Sequence, residues 1–403
     1  MRWGPRGSGG EHRGDEASRR AAVARALASG RDPVPAVRDH ARAGAGVGEL
    51  LEDLRRTESL LAGVGPRLAP LLCDPEVTDV LVNSDEVWVD RGEGLHRADV
   101  DIGGEAAVRA LAIHMAASCG RRLDDASPVV DGTLPGAVRL HAVLPPLSGS
   151  GTLVSLRTSR PVALTLEDLV RRGTLVPGVD ALVRELIAAR ANTLVSGATG
   201  SGKTTLLATL LGLVPHDQRI VCIEEVAELR PDHPHVVHLQ ERRANVQGAG
   251  SVTLADLVRA AMRMRPDRIV LGECRGAEVR DVLTALNTGH DGGWATIHAN
   301  AVEDVPARLQ ALGALAGMGD AAVAAQGAAA FDAVLQMRRD GPVRRVSQVG
   351  VLVRGGNGGG SLECRVALEV GGDGSVRVGQ GWELLDARLG GVGARLPWGG
   401  GRG

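Results

Sequence analysis

The sequence predicts an α/β protein in two parts, a small N-terminal α/β domain followed by a RecA-like P-loop domain, and three observations carry that prediction. Residues 197–204 read GATGSGKT, the spacing G-x-x-x-x-G-K-[ST], between a strand-like NTLVS (192–196) and a helix-like KTTLLATLLGLV (203–214). Downstream, short apolar runs at 219–223 (RIVCI), 236–240 (VVHLQ), 268–271 (RIVL) and 294–298 (WATIH) are separated by helical segments, the order of a parallel sheet with crossover helices. Upstream, VTDVLVN and EVWVD alternate as the arms of a hairpin do.

Taken in order, residues 1–45 are rich in Gly, Arg and Ala with little apolar periodicity and read as a flexible leader carrying one short helix around Ala17 to Ala28. The N-terminal domain is expected over 46–160. Its apolar residues recur at helical spacing from Val47 to Leu72; a helix around Ala106 to Ser118 and strands at 138–146 and 152–159 follow the hairpin. A Pro and a Thr-initiated helix near Thr165 then lead into the second domain, 161–350. The remainder, 351–403, holds GGNGGGS and one alternating segment, ECRVALEV, and reads as a strand pair followed by a glycine-rich tail.

Composition narrows the function. A chain of 403 residues with 44% apolar content can build real cores, and a net charge of −2 gives no polyanion-coating surface, so nucleic acid is not the expected partner. Cys73, Cys119, Cys222, Cys274 and Cys364 form no C-x-x-C pair, which argues against a zinc knuckle and a secreted disulfide framework and suits reduced thiols in the cytoplasm. The N-terminus carries no signal-peptide core. The most apolar long stretch, 311–337, is interrupted by Asp320, Gln326 and Asp332, so any membrane association is expected to be peripheral.

Lys203 is the only lysine of the chain; every other basic residue of the Lys+Arg set is arginine. A planar guanidinium substitutes well on solvated faces but not for a compact ammonium inside a phosphate loop. The loop nominates Gly197, Ala198, Thr199, Gly200, Ser201, Gly202, Lys203, Thr204 and Thr205 for nucleotide binding, ATP being the expected ligand, with the Thr204 hydroxyl on Mg²⁺. Hydrolysis also needs a carboxylate to activate water and further groups to hold metal and offset phosphate charge. Candidates at strand ends are Glu224, Glu225 and Glu228, then Glu273, then His290, Asp291, Thr296 and His298. Each alone is as readily a solvated surface residue or a satisfied core histidine; their order behind the phosphate loop is what favours a site.

GATGSGKTT, IEEVAEL, RMRPDRIVLGECRG and LNTGHDGGWATIHAN, in that order, resemble the Walker A, Asp box, Walker B and His box of the secretion and pilus motor ATPases of type II and type IV systems. GRRLDDASPVVDGTLPGAVRLHAVLPP and LVSLRTSRP are similar to the N-terminal domain of the tight-adherence (Flp) pilus branch, called CpaF or TadA, so that the resemblance spans about Leu68 to Val351. It implies a PAS-like N-terminal domain and a cytoplasmic homo-hexameric ATPase at the inner face of the cytoplasmic membrane. Such an enzyme would work with an inner-membrane platform protein to drive pilus assembly or protein secretion; a conjugation-associated nucleic-acid motor or helicase-like ATPase is the alternative. By position it implies Glu224 as the catalytic glutamate, Glu273 in Walker B and on the metal, His298 as γ-phosphate sensor, and Arg139 and Arg157, with Arg160 after them, as arginines reaching the nucleotide. Two positions depart from the pattern: Glu225 stands where aspartate is usual, and Trp294 where a smaller residue is expected.

Overall fold

The computed structural model describes residues 33–41, 47–74, 76–92, 94–134, 137–158, 164–242, 249–341, 343–356 and 360–393, with isolated positions at 22–23, 26–27, 31, 244 and 396. Most of the expected leader, including most of the helix expected around 17–28, and Arg160 therefore lie outside the described residues. The described residues divide into two compact units, one within 1–160 and one within 161–244 and 250–403.

The N-terminal unit contains helices Pro33–Asp39, Val47–Cys73 and Glu105–Ser118 and a six-stranded antiparallel sheet. Its strands are β1 (Asp79–Asn83), β2 (Glu86–Asp90), β3 (Leu95–Ala98), β4 (Val129–Leu134), β5 (Val138–Val143) and β6 (Leu153–Arg157), in the order β3-β2-β1-β6-β5-β4. The continuous helix expected over 47–72 is broken at Gly65, whose φ of 75° and ψ of 166° are not helical, directly before Pro66. Val80, Val82, Val87, Val89, Leu140, Val154 and Leu156 supply one buried face, against which Val64, Leu68, Val108 and Met115 of the helices pack. The alternate residues of the strands are less buried, the period-two pattern of a sheet with one covered face.

The second unit is built on nine strands: β7 (Thr193–Gly197), β8 (Ile220–Glu224), β9 (Val236–Gln240), β10 (Arg268–Leu271), β11 (Trp294–Ile297), β12 (Ala333–Asp340), β13 (Val343–Arg354), β14 (Leu362–Val370) and β15 (Val376–Val378). Their order is β15-β14-β13-β12-β7-β11-β10-β8-β9, parallel from β12 to β9 and antiparallel from β12 to β15. Each strand of β7, β8, β10 and β11 is buried throughout, as a parallel sheet covered on both faces must be. Alternate residues enter different cores. Val195, Cys222, Val270 and Trp294 meet helices Val179–Ala188 and Lys203–Leu211, whereas Leu194, Val221, Ile223 and Ile269 meet helices Leu254–Ala261, Val279–Leu286, Val305–Leu315 and Asp320–Ala330. Helix Leu166–Arg171 begins at a capping box: Thr165 Oγ1 accepts from Asp168 N–H, and Asp168 Oδ2 accepts from Thr165 N–H.

The segment expected to end in a glycine-rich tail is largely structured. β13 runs to Arg354, β14 and β15 extend the sheet, and helix Trp382–Arg388 packs Leu385 into the core. Arg388 donates to the carbonyls of Phe331 (2.8 Å), Asp332 (3.3 Å), Ala328 (3.2 Å) and Leu352 (2.9 Å), pinning that helix to the end of the nine-stranded core. The apolar stretch 311–337 is divided between two helices and β12, and among the described residues no helix is long and apolar enough to cross a membrane.

A phosphate-loop site at the carboxyl edge of the parallel strands

Residues 198–202 turn from β7 into helix Lys203–Leu211, with Gly200 and Gly202 at positive φ (73° and 95°), conformations that disfavour side chains. The loop is therefore glycine-rich for backbone reasons, and it opens a helix N-terminus, whose unpaired N–H groups suit an anion. Lys203 is 7% exposed and its Nζ donates to the carbonyls of Gly197 (2.8 Å) and Ala198 (3.1 Å). Burial holds its pKa below the ordinary lysine value, the nearby Glu273 opposing and Arg275 adding to the effect. Ser201 Oγ is buried with no hydrogen-bond partner among the described residues, a polar atom aimed into the loop with nothing to satisfy it. Thr204 is half-buried, and Ala198, Thr199, Gly200 and Thr205 are exposed. Arg344 braces the loop from β13, donating from Nε to the Gly200 carbonyl (3.0 Å).

Three of the sequence motifs converge beside Lys203. His298, just past β11, places Nδ1 3.5 Å from Lys203 Nζ and Nε2 2.6 Å from Glu273 Oε1. Burial, helped by the Lys203 charge and opposed by Glu273, holds its pKa below the ordinary imidazole value. A neutral ring fits both contacts, since Nε2–H donates to the carboxylate and the Nδ1 lone pair faces the ammonium. Glu273 is also forked by Arg275, whose Nε and Nη2 reach its two oxygens (2.5 and 2.8 Å) while Nη1 reaches Glu225 Oε2 (3.2 Å). Glu225 thus belongs to an ion-pair network, so the longer carboxylate at this position finds a partner. Arg275 joins this set though the sequence reading did not single it out; its only signal was its place two residues after Glu273 in GECRG.

Glu224 ends β8 and is 4% exposed. Oε1 accepts from the N–H groups of Glu228 (2.9 Å) and Leu229 (2.8 Å), while Oε2 is buried without a hydrogen bond among the described residues. Gly272 explains why glycine precedes Glu273: a Cβ there would lie 2.8 Å from Glu224 Cγ. Thr296 fixes the same turn by donating to the Gly272 carbonyl (2.6 Å). Glu228 contributes its backbone to Glu224.

Other candidates fall elsewhere. His290 Nδ1 lies 3.2 Å from the Ala285 carbonyl, and the Asp291 carbonyl accepts from Arg190, so both serve the turn before β11 and not the phosphate loop. Trp294 is 1% exposed in the core of the sheet, which accounts for a large residue at a position where a small one was expected. Arg139 and Arg157 face each other across β5 and β6 in the N-terminal unit, Arg139 half-buried and Arg157 exposed, both out of phase with the buried face. Among the described residues no group of three or more His, Cys, Asp and Glu is placed to hold a metal.

The family model described as "Type II/IV secretion system protein" matches residues 66–337. A Mycobacterium tuberculosis (strain H37Rv) protein named for conjugal transfer is 53% identical over 312 residues, 75% of this chain and 88% of its own length. The conjugal transfer protein TrbB of Rhizobium radiobacter is 32% identical over 310 residues, 73% of this chain and 90% of its own. Among solved structures, the pilus retraction motor PilT with bound ADP superposes with a TM-score of 0.51 at 18% identity, covering 82% of this chain and 88% of that one, a likeness of fold.

Proposed function

This chain belongs to the type II/IV secretion system family of ATPases, and from that premise we propose that it is a cytoplasmic motor that hydrolyses ATP to power pilus assembly or protein export, on the tight-adherence (Flp) branch. The observation that carries the reading is the continuous run of contacts Lys203–His298–Glu273–Arg275, which joins the residues of Walker A, His box and Walker B into one set beside Glu224. Lys203 and the loop N–H groups would bind the phosphates, and Thr204 and Glu273 would hold Mg²⁺, whose chemistry is to neutralise charge on the outer phosphates. Glu224 is assigned as the base that orients water and takes its proton, because Oε2 is the oxygen left without a hydrogen bond in a buried carboxylate whose Oε1 is fixed by two N–H groups. His298 reports the γ-phosphate through Lys203 and Glu273, and Arg139 and Arg157 supply positive charge from the N-terminal unit.

As a motor it would work as a homo-hexamer at the inner face of the cytoplasmic membrane with an inner-membrane platform protein. The second reading, conjugation, is favoured by the conjugal-transfer names of the relatives at 53% and 32% identity. Glu224→Gln tests the common chemistry: the full chain should bind a fluorescent ATP analogue within about 2-fold of wild type yet hydrolyse ATP about 100- to 10,000-fold more slowly. Turnover that survives Glu224→Gln would remove Glu224 from the mechanism. Stimulation of wild-type turnover by single-stranded DNA in the same assay would favour conjugation.

A further inference from the structure

Glu224 has a neighbour that no motif includes. β8 and β9 run parallel with Cys222 beside His238 and Glu224 beside Gln240. Residues two apart on a strand share a face, so Cys222, Glu224 and His238 lie on one side of the sheet. There His238 Nδ1 approaches Glu224 Oε2 to 3.5 Å, the distance of an ion-pair contact, on an oxygen that has no hydrogen bond. The carboxylate is thus held from three directions: Gly272 leaves room for its methylenes, two backbone N–H groups fix Oε1, and an imidazole flanks Oε2.

We propose that His238 is a positioning residue for Glu224, its Nδ1 flanking Oε2 so that the buried carboxylate keeps the orientation from which it takes a proton from water. The inference rests on the reading of Glu224 as the base. β9 is the edge strand and the His238 side chain is 31% exposed, so the ring can be replaced without opening the core beneath it. The other charged or titratable groups facing this pair do not replace it. From β8, Cys222 is a buried thiol whose pKa burial raises, with Glu224 adding to the rise. From the loop after β8, Glu225 is engaged by Arg275, Glu228 gives its N–H to Oε1, and Arg230 donates to the Leu229 carbonyl. Lys203 of the phosphate-loop helix is held on the Gly197 and Ala198 carbonyls, and Glu273 beyond β10 on Arg275 and His298. Asp256 and Arg259 of helix Leu254–Ala261 pair with each other, and that helix packs on the opposite face.

The test compares kcat and KM of the full chain with those of His238→Asn and His238→Ala, with affinity for a fluorescent ATP analogue and thermal melting as controls on binding and folding. Asn places an amide N–H near the position of Nδ1. His238→Asn should keep kcat within about 3-fold of wild type, while His238→Ala should lose about 10-fold with KM nearly unchanged, the scale of one hydrogen bond to a charged group. Wild-type rates in both variants overturn the proposal, as does an equal loss of kcat in both. Glu224→Gln, run alongside, separates the two layers: if it abolishes turnover while the His238 variants follow wild type, the positioning role fails and the base assignment stands, and if it leaves turnover intact, the base assignment itself fails.

Discussion

Along the carboxyl edge of the nine-stranded sheet, the β7–β11–β10 segment holds Lys203, His298, Glu273 and Arg275 in consecutive contact, whereas the β8–β9 segment holds Glu224 with one oxygen fixed by two N–H groups and the other buried without a hydrogen bond beside His238. The two segments bury charge by different means. The first offsets it pairwise, which fixes geometry. The second fixes one carboxylate oxygen with backbone N–H groups and leaves the other with only the flanking imidazole of His238. On the proposed roles, binding falls to the first segment and catalysis to the second, and substitutions should separate them.

The largest effect is expected where the paired segment begins. Lys203→Ala should abolish detectable binding of a fluorescent ATP analogue and lower turnover by about 1,000-fold or more, since it removes the compact cation seated on the loop carbonyls. Lys203→Arg should do nearly as badly, because a planar fork does not fit that seat. Wild-type turnover in the arginine variant would break the distinction between the two segments at its root. Next come Arg139 and Arg157. On the proposed role of these arginines, Arg139→Ala or Arg157→Ala should slow kcat by about 10- to 1,000-fold with the Kd for nucleotide little changed. Unaltered steady-state rates in both variants would confine catalysis to the second unit. Arg275→Ala should be mildest. Its guanidinium is 46% exposed, so loss of its fork on Glu273 and its reach to Glu225 should cost turnover roughly 3- to 10-fold, with Arg275→Lys recovering little of it. A loss in Arg275→Ala as deep as that in Lys203→Ala would mean that the fork positions the whole paired segment.

How far this edge could be read beforehand depends on the range of the forces that built it. The phosphate loop and the strands that frame it were legible because their determinants are local: glycines at positive φ, apolar runs of strand length, a threonine at a helix start. Glu224, Glu273 and His298 stood out by their order behind the loop. Arg275 and His238 did not, since the reach of Arg275 to Glu225 and of His238 to Glu224 depends on how strands pair, and the one local sign, the place of Arg275 two residues after Glu273, is weak. His290 misled for the converse reason, its spacing placing it near the site while a local bond to Ala285 holds it at the turn. At the C-terminus the alternating ECRVALEV was legible as a strand, whereas helix Trp382–Arg388 was not: it follows the glycines of 371–374, and its buried Leu385 finds a core only once the sheet is in place.

For anyone shortening the chain, the Arg388 clamp moves the safe cut. A boundary chosen from the glycine runs near residue 355 would discard β14, β15 and the helix that carries Arg388, stripping donors from the carbonyls of Ala328, Phe331, Asp332 and Leu352 and uncovering the core beneath Leu385. Each buried carbonyl left without a donor costs about 1–3 kcal/mol, so a few of them together consume a large share of a domain's net stability. A fusion or affinity handle belongs beyond residue 396, where it leaves that clamp whole.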